Sequence, residues 1–484
     1  MDDLDDNATS ALHVAMFPWL AMGHFIPFLE LSKCLAERGH RISFISTPRN
    51  IQRLPKIPPK LSHLIDFVVL PLPSIEGLPE DAEASVDIPI NKAQLLKMAF
   101  DGLESPITAF LKSSSPDWIL LDYASHWLPP ILDELGLPWA YFSLFTAAML
   151  SFFGSPDALI NNQRLSIEDF TKSPNWIPFE SNVAYRYHEM AKFFEAGGEN
   201  ESNASDFYRF GVAVRDSKFV ALRSCVEFEP EWIALLAEIY QKPIIPVGSL
   251  YPFDHSEEHN NNWVSIRSWL DQHKAGTVVY VALGTEASLS QAQLTQLALG
   301  LEQSELPFFW VLRKPPSYGP SRDSEDDDWV KAVLPEGFVE RVRERGVVHA
   351  GWAPQVNILS HDSVGGFLTH CGWNSVVEAL GVGQPLVLLP VMNDQGLNAR
   401  LLEGKKVGVE IGRDERDGSF TSDSVAESVR RVVVDSDGEA LRARAREMRE
   451  VFAGRVRMDR YIDDFVGYLK RFGRPNRPDS AAIM

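Results

Sequence analysis

The sequence predicts an α/β protein made of two doubly wound, Rossmann-like halves, each with a parallel sheet. Three observations carry this expectation: a strand–helix–strand unit completed within residues 12–46, a second series of alternating strands and helices from residue 277, and a polar run marked by Pro and Gly between them.

The first strand is "LHVAMF" (12–17), short, apolar and closed by Pro18. "IPFLELSKCLAERG" then shows helical spacing through Phe28, Leu31 and Leu35 until Gly39 ends it, and "RISFIS" returns to strand character. Further buried strands are expected at 66–72, 117–122, 139–144 and 219–224. The second series offers "TVVYVALG" (277–284), a helix from Ser290 to Gln303, "FFWVLR" (308–313), "GGFLTH" (365–370), "PLVLLP" (385–390) and "VGVEIG" (407–412). This assigns 1–250 to an N-terminal domain, 251–262 to a linker and 263–459 to a C-terminal domain, with 460–484 able to pack back on the first. Two such sheets are expected to face a cleft at the carboxyl ends of their strands. The stretch 175–210 reads either as a substrate-enclosing insertion or as a surface helix pair, and 315–329 as a solvated acidic loop.

A chain of 484 residues exceeds a single core. Acidic residues outnumber basic ones by 66 to 46, a formal charge of −20, which argues against nucleic acid or an anionic membrane as the main partner. Cys34, Cys225 and Cys371 show neither metal-ligand spacing nor a paired framework, as in a reducing compartment. The acidic start "MDDLDDNATS" lacks the basic region of a secretory signal, and no run reaches the roughly 18 apolar residues of a membrane span. A cytoplasmic, monomeric protein without membrane insertion is expected, and the Asn-x-Ser/Thr triplets at Asn7, Asn200 and Asn203 read as incidental.

The chemistry concentrates in one stretch, "WAPQVNILSHDSVGGFLTHCGWNSVVEALGVGQPLVLLPVMNDQ", residues 352–395. A buried strand ends at His370, Gly372 permits a tight turn, and a helix is expected to begin near Trp373 or Asn374. Its unpaired N–H groups and dipole favour an anion, with Asn374, Ser375 and His370 as side-chain donors. A phosphate or diphosphate is the natural ligand. Glu378, four residues after Asn374, lies one turn deeper, where a carboxylate can accept from vicinal hydroxyls such as those of a ribose. Trp352 offers an aromatic plane and Ala353 a backbone edge, a pairing suited to a base. Asp394 and Gln395 present groups that suit sugar hydroxyls. Taken singly, each has a plainer reading: a structural turn, a packing Trp, a helix cap.

In the first half, His24 of "FPWLAMGHFIPFLEL" is expected at the turn before a helix, whose N-terminus would favour the neutral imidazole. Asp122 ends the buried strand "DWILLD" on the same sheet edge and can accept from the other ring nitrogen, a usable general base. Each alone also reads as a cap.

The 352–395 stretch resembles, nearly position for position, the signature box of the plant family 1 UDP-sugar-dependent glycosyltransferases, and the whole chain from "HVAMFPWLAMGH" onward is similar to that family. "RNIQRLP" and "DQGLNARLLE" resemble its branch that extends sugars already attached to terpenoids or flavonoids. The resemblance implies a GT-B fold, an inverting and metal-independent transfer with UDP-sugar as co-substrate and no cofactor, and a small apolar or glycosylated acceptor. It implies that Trp352 stacks on uracil with Ala353 at its edge, that Gln355 and Glu378 hold the ribose, and that His370, Gly372, Asn374 and Ser375 bind the diphosphate with Thr285 assisting. Trp373, Asp394, Gln395 and Thr146 would contact the donor sugar, with glucose expected and rhamnose the alternative. His24 would be the base and Asp122 its orienter. The acceptor pocket is expected from Met22, Phe25, Phe145 and the 175–210 insertion, with Glu286 toward an acceptor sugar. Thr285 stands where many members have serine, and Gln384 where valine is common.

Two rival enzymes fit less well. A UDP-sugar epimerase would need no apolar acceptor pocket. A nicotinamide-dependent dehydrogenase would need Gly-x-Gly-x-x-Gly after the first strand, where "PWLAMGHF" stands. A non-catalytic nucleotide-sugar binder would not need both His24 and Asp122.

Overall fold

The computed structural model describes residues 11–164, 166–196, 202, 204–253, 261–287, 289–313 and 323–473. Asn7, Asn200, Asn203, most of the expected linker and the end of the chain lie outside them. Two compact units form: one from residues up to 163, 199–250 and from 455 onward, the other from 164–198 and 251–454.

The first unit holds seven parallel strands, β1 (His13–Phe17), β2 (Arg41–Ser46), β3 (Ile65–Val69), β4 (Trp118–Leu121), β5 (Trp139–Ser143), β6 (Val220–Leu222) and β7 (Ile244–Pro246). Their order is β3-β2-β1-β4-β5-β6-β7. The inner strands read as continuous apolar runs because helices cover both faces of a parallel sheet. β4 is buried at all four positions and β5 at all five. The sequence reading had no β7, since "IIP" between prolines carries no period. The closing helix, Arg455–Phe472, belongs to this unit. Leu469 O accepts from Trp118 Nε1 at 2.9 Å, Tyr461 Oη accepts from Val226 N at 2.8 Å, and Phe219 packs edge-on to Phe465 and Tyr468.

The second unit holds six parallel strands, β8 (Val278–Ala282), β9 (Phe308–Leu312), β10 (Gly346–Ala350), β11 (Val364–Thr369), β12 (Leu386–Leu388) and β13 (Gly408–Glu410). Their order, β10-β9-β8-β11-β12-β13, repeats the first sheet's plan. β10 also escaped the sequence reading, because "GVVHA" is only partly buried at the sheet edge. The Gln291–Gln303 helix starts at a capping box in which Ser290 Oγ accepts from Gln293 N. Its Leu297 and Leu301 join Val281, Trp310 and Leu368 in a fully buried core. Each such side chain contributes roughly 1.5–3 kcal/mol by leaving water.

Two expectations change. Residues 164–198 group with the second unit, although the sequence reading kept them in a domain spanning 1–250. Ion pairs hold them there: Arg186 meets Glu410 at 3.1 Å and Glu415 at 3.0 Å, and Glu189 meets Arg400 at 3.0 Å. The acidic stretch read as a loop contains a helix, Asp323–Val333, because Val330 and the following Leu334 give it an edge buried in the core. Among the described residues no helix is long and apolar enough to cross a membrane.

Candidate active site

In the first sheet the strand order reverses between β1 and β4, where an open α/β sheet leaves a crevice at the carboxyl ends. Both candidate catalytic residues stand there. Asp122 follows β4, its N–H donating to Phe17 O at 3.3 Å, and His24 lies in the first turn of the Met22–Ala36 helix rather than before it. His24 Nδ1 is 2.6 Å from Asp122 Oδ2. The same oxygen accepts from Trp19 N at 3.0 Å, and Oδ1 accepts from Tyr123 N at 2.7 Å. Asp122 is buried and His24 keeps 16% of its side chain accessible. With Nδ1 donating to the carboxylate, the neutral ring carries its acceptor lone pair on Nε2.

Aromatic rings surround the dyad. Phe145 lies edge-on to His24 at 5.8 Å and Tyr123 lies 6.0 Å away, while Phe210 stacks on Tyr123 at 4.4 Å and meets Phe145 at 5.2 Å. The sequence reading named Phe145 and missed Tyr123, which adjoins Asp122, and the role of Phe210 at the end of the 175–210 stretch. It also missed the brace behind them. Arg209 is fully buried and donates to Asp101 Oδ1 at 2.7 Å, to Asp101 Oδ2 at 2.5 Å and to Ala124 O at 2.6 Å, which fixes the loop after β4.

Two expected residues are placed otherwise. Phe25 is 0% exposed, turned into the core by the inner face of its helix, and offers no surface to an acceptor. Thr146 is 1% exposed because its hydroxyl caps the Ala147–Phe153 helix, accepting from Met149 N at 3.1 Å. The buried Glu229 holds the same helix start, accepting from Ala148 N at 2.9 Å and from Ser224 Oγ at 2.5 Å. Met22 remains partly accessible at the start of its helix.

The second sheet reverses between β8 and β11, and the other candidates gather after those strands. His370 follows β11, and the Trp373–Val382 helix begins three residues later with Gly372 as its N-cap and no capping side chain. The first N–H groups and the dipole of a helix favour an anion at such an end. The residue with left-handed backbone in this turn is Cys371 (φ +67°), whereas Gly372 has φ −64°. Glycine is needed at 372 for another reason: a Cβ there would come within 2.4 Å of His370 Nε2. Gly284 is constrained likewise, with 2.7 Å to the same atom and φ +78°. Burial pulls the His370 imidazole down to about 4, so the ring is neutral at physiological pH, and its buried Nδ1 meets no hydrogen-bond partner among the described residues. Thr285 and Glu286 follow β8 and are exposed.

Gln355 begins the short Gln355–Leu359 helix, and its Nε2 donates to Ser375 Oγ at 3.0 Å and Glu378 Oε2 at 2.7 Å. Trp352, just before it, is 55% exposed, a large apolar plane left open, while Ala353 is buried. Trp373 is buried edge-on against Phe452, and Asn374 is partly buried beside it. Asp394 is the N-cap residue of the Gln395–Gly404 helix, and Gln395 Oε1 accepts from Val391 N and Met392 N, both at 3.0 Å. Asn398, one turn on and fully buried, donates to Cys371 O at 3.1 Å and to Asp394 Oδ2 at 2.8 Å, tying the start of this helix to the turn after β11. The sequence reading did not assign it. Gln384 uses its amide to donate to Leu359 O and Val364 O, both at 3.0 Å, away from the candidate contacts. Among the described residues no group of three or more His, Cys, Asp or Glu could hold a metal ion.

Two Rossmann-like parallel-sheet units of this plan define the GT-B class of glycosyltransferase folds. A solved Glycyrrhiza uralensis enzyme, UGT73P12 complexed with glycyrrhetinic acid 3-O-monoglucuronide, superposes with a TM-score of 0.77 over 96% of each chain at 21% identity. The family model for UDP-glucoronosyl and UDP-glucosyl transferases matches residues 240–439. The chain is 54% identical over 469 residues to UDP-glycosyltransferase 91C1 of Arabidopsis thaliana, covering 97% of this chain and 98% of that one. It is 41% identical over 472 residues to soyasaponin III rhamnosyltransferase of Glycine max, covering 96% and 97%. The chain belongs to the plant family 1 UDP-glycosyltransferases, enzymes that take their sugar from a UDP-sugar.

Proposed function

We propose that the enzyme transfers a hexose, glucose first, from a UDP-sugar to a hydroxyl of a small apolar glycoside, inverting the anomeric carbon. The observation that carries this reading is the His24–Asp122 pair at 2.6 Å, set at the switch point of the first sheet among aromatic rings. His24 Nε2 removes the proton as the acceptor oxygen attacks the anomeric carbon. The bond from that carbon to the diphosphate oxygen breaks and UDP leaves with its electron pair. Asp122 holds the ring in the required tautomer and stabilises the imidazolium that forms.

Trp352 stacks on uracil, and Gln355 with Glu378 takes the ribose. The turn His370–Gly372 and the first N–H groups of the Trp373–Val382 helix hold the diphosphate with Asn374, Ser375 and Thr285, where preorganised donors stabilise the departing charge. Asp394 and Gln395 take the donor sugar. On the acceptor side, Phe145, Tyr123, Phe210 and Met22 supply an apolar wall, and Glu286 a carboxylate for an acceptor sugar. The preference for a glycosylated terpenoid or flavonoid rests on the sequence resemblance and on a relative named for transfer to a soyasaponin. The same relative supports the second reading, rhamnose as the donor sugar. A cytoplasmic site of action is inferred from three unpaired thiols.

The test is His24→Ala, with turnover and UDP binding measured together. Loss of nearly all turnover with UDP affinity retained supports the base assignment, and retained turnover overturns it. Assay of UDP-glucose and UDP-rhamnose against aglycones and their monoglycosides decides donor and acceptor.

A further inference from the structure

We propose that Glu189 is a positioning residue for the donor sugar, carried by the 164–198 excursion and acting through Arg400 on the first turn of the Gln395–Gly404 helix. The inference deepens the reading above and rests on it, since it takes Asp394 and Gln395 as the sugar-contacting pair.

The excursion would ordinarily be assigned by its place in the chain to the acceptor side. Its contacts say otherwise. It has a small core of its own, in which the Arg164 guanidinium lies 4.1 Å from the Phe170 ring and 5.8 Å from that of Trp176, and Tyr185 N donates to Phe170 O at 3.0 Å. From that core the Tyr187–Ala196 helix reaches the Gln395–Gly404 helix. Arg400 Nη1 donates to Glu189 Oε1 at 3.0 Å and to Gly396 O at 2.6 Å. Both members of this ion pair are at most 9% exposed at their side chains. Glu189 lies so close to Gly396 that a Cβ there would come within 2.4 Å of Oε2. The carboxylate is thus seated on the backbone two residues after Asp394, and Glu410 beside Arg400 and Arg186 completes the charged set.

A buried ion pair contributes little net stability against an apolar replacement, yet breaking one partner leaves an uncompensated charge. Beside holding 164–198 in place, this pair fixes the backbone position of Gly396, whose carbonyl accepts from the same Arg400 Nη1. The recess between Tyr185, Glu189 and Phe193 on one side and Met392, Asn393 and Gly396 on the other is about 20 Å³, room for one water and too small for a hexose. Glu189 therefore acts on the sugar through the start of the helix and not by touching it.

The experiment compares the full-length enzyme with Glu189→Gln and Glu189→Ala. Three quantities are read for each: KM for the preferred donor of UDP-glucose and UDP-rhamnose, KM for the acceptor, and the Kd of UDP alone. The expected result is a donor KM raised about 10-fold or more, as displacement of a site by a fraction of an ångström produces, with UDP Kd and acceptor KM unchanged and the kcat/KM ratio between the two donors altered. Glu189→Gln/Arg400→Gln, which removes both charges and keeps the volume, should lose no more than Glu189→Gln, and serves if Glu189→Ala fails to fold. Equal weakening of UDP and donor, a rise in acceptor KM alone, or no change overturns the proposal. The underlying reading fails separately, if Asp394→Ala and Gln395→Ala both leave donor KM and the ratio between the two donors unchanged.

Discussion

The imidazole of His370 occupies the volume that a side chain at Gly372 would need, with 2.4 Å between its Nε2 and the position of the missing Cβ. The turn between Thr369 and Trp373 is thus shaped by a ring packed on a bare backbone. Gly372→Ala is expected to displace either the ring or the helix start and to lower UDP affinity by roughly 10²-fold, a loss typical of small misplacement. Calorimetric titration with UDP checks it, and native affinity in the folded variant would remove the turn from the anion site.

Asp122→Asn keeps the shape of the dyad and replaces an acceptor oxygen by a donor. The His24 ring then loses the partner that sets its tautomer, and kcat should fall by about 10³–10⁴-fold. UDP affinity should stay within twofold or so, because a change in the first unit leaves the helix start untouched. Turnover near the wild-type rate would sink the assignment of Asp122 as orienter.

Gln355 and Glu378 are joined at 2.7 Å and are expected to bind the ribose as one unit. In a double-mutant cycle with alanine at both, the effects on UDP binding should not add, with a coupling of about 0.5–3 kcal/mol. Additive losses would show that the two act independently.

Arg209→Ala removes the charged partner of the half-buried Asp101, which keeps Trp127 Nε1 as a donor, and the donor to Ala124 O. Losing hydrogen bonds to a charged group costs about 1.5–3 kcal/mol. A lower Tm is expected, together with a lower kcat, because the loop carrying Asp122 and Tyr123 loses its brace. An unchanged Tm would show that the loop is held by other contacts.

Burial pulls His40 and His188 down to about 4, as it does His370, with the Lys470 and Arg38 charges adding at His40 and Arg413 at His188. The ordinary value is 6.5, so between pH 6.5 and about 4 the unfolded chain binds protons that the folded one refuses. Stability should therefore fall as the pH drops through that window and level off below it. Urea unfolding at stepped pH measures this, and His40→Gln should flatten the slope.

What was legible in the sequence follows from the range over which each determinant acts. β8 and β11 are local apolar runs, and the Gln291–Gln303 helix carries its own capping box, so both were readable from neighbours alone. β7 and β10 have too few apolar positions to show a period. The box from Trp352 to Gln395 was readable because its residues lie on consecutive elements around one strand end. Arg209 and Asp101 stand 108 residues apart, and Glu189 and Arg400 stand 211 apart, so nothing local marks either pair. Gly372 was expected to permit the tight turn; the residue with left-handed backbone there is Cys371, and the glycine answers to the His370 ring and not to its own φ.

The Arg455–Phe472 helix gives the first unit the far end of the chain as well as its beginning, and the second unit claims 164–198 from the middle of the first. Neither unit is therefore a contiguous length of gene. A hybrid made by joining the front of one relative to the back of another near residue 250 would leave Trp118 facing a foreign Leu469 carbonyl, and Arg400 and Glu410 facing a foreign excursion. Moving either unit as a whole between relatives requires four crossovers, two flanking 164–198, one near residue 250 and one before Arg455.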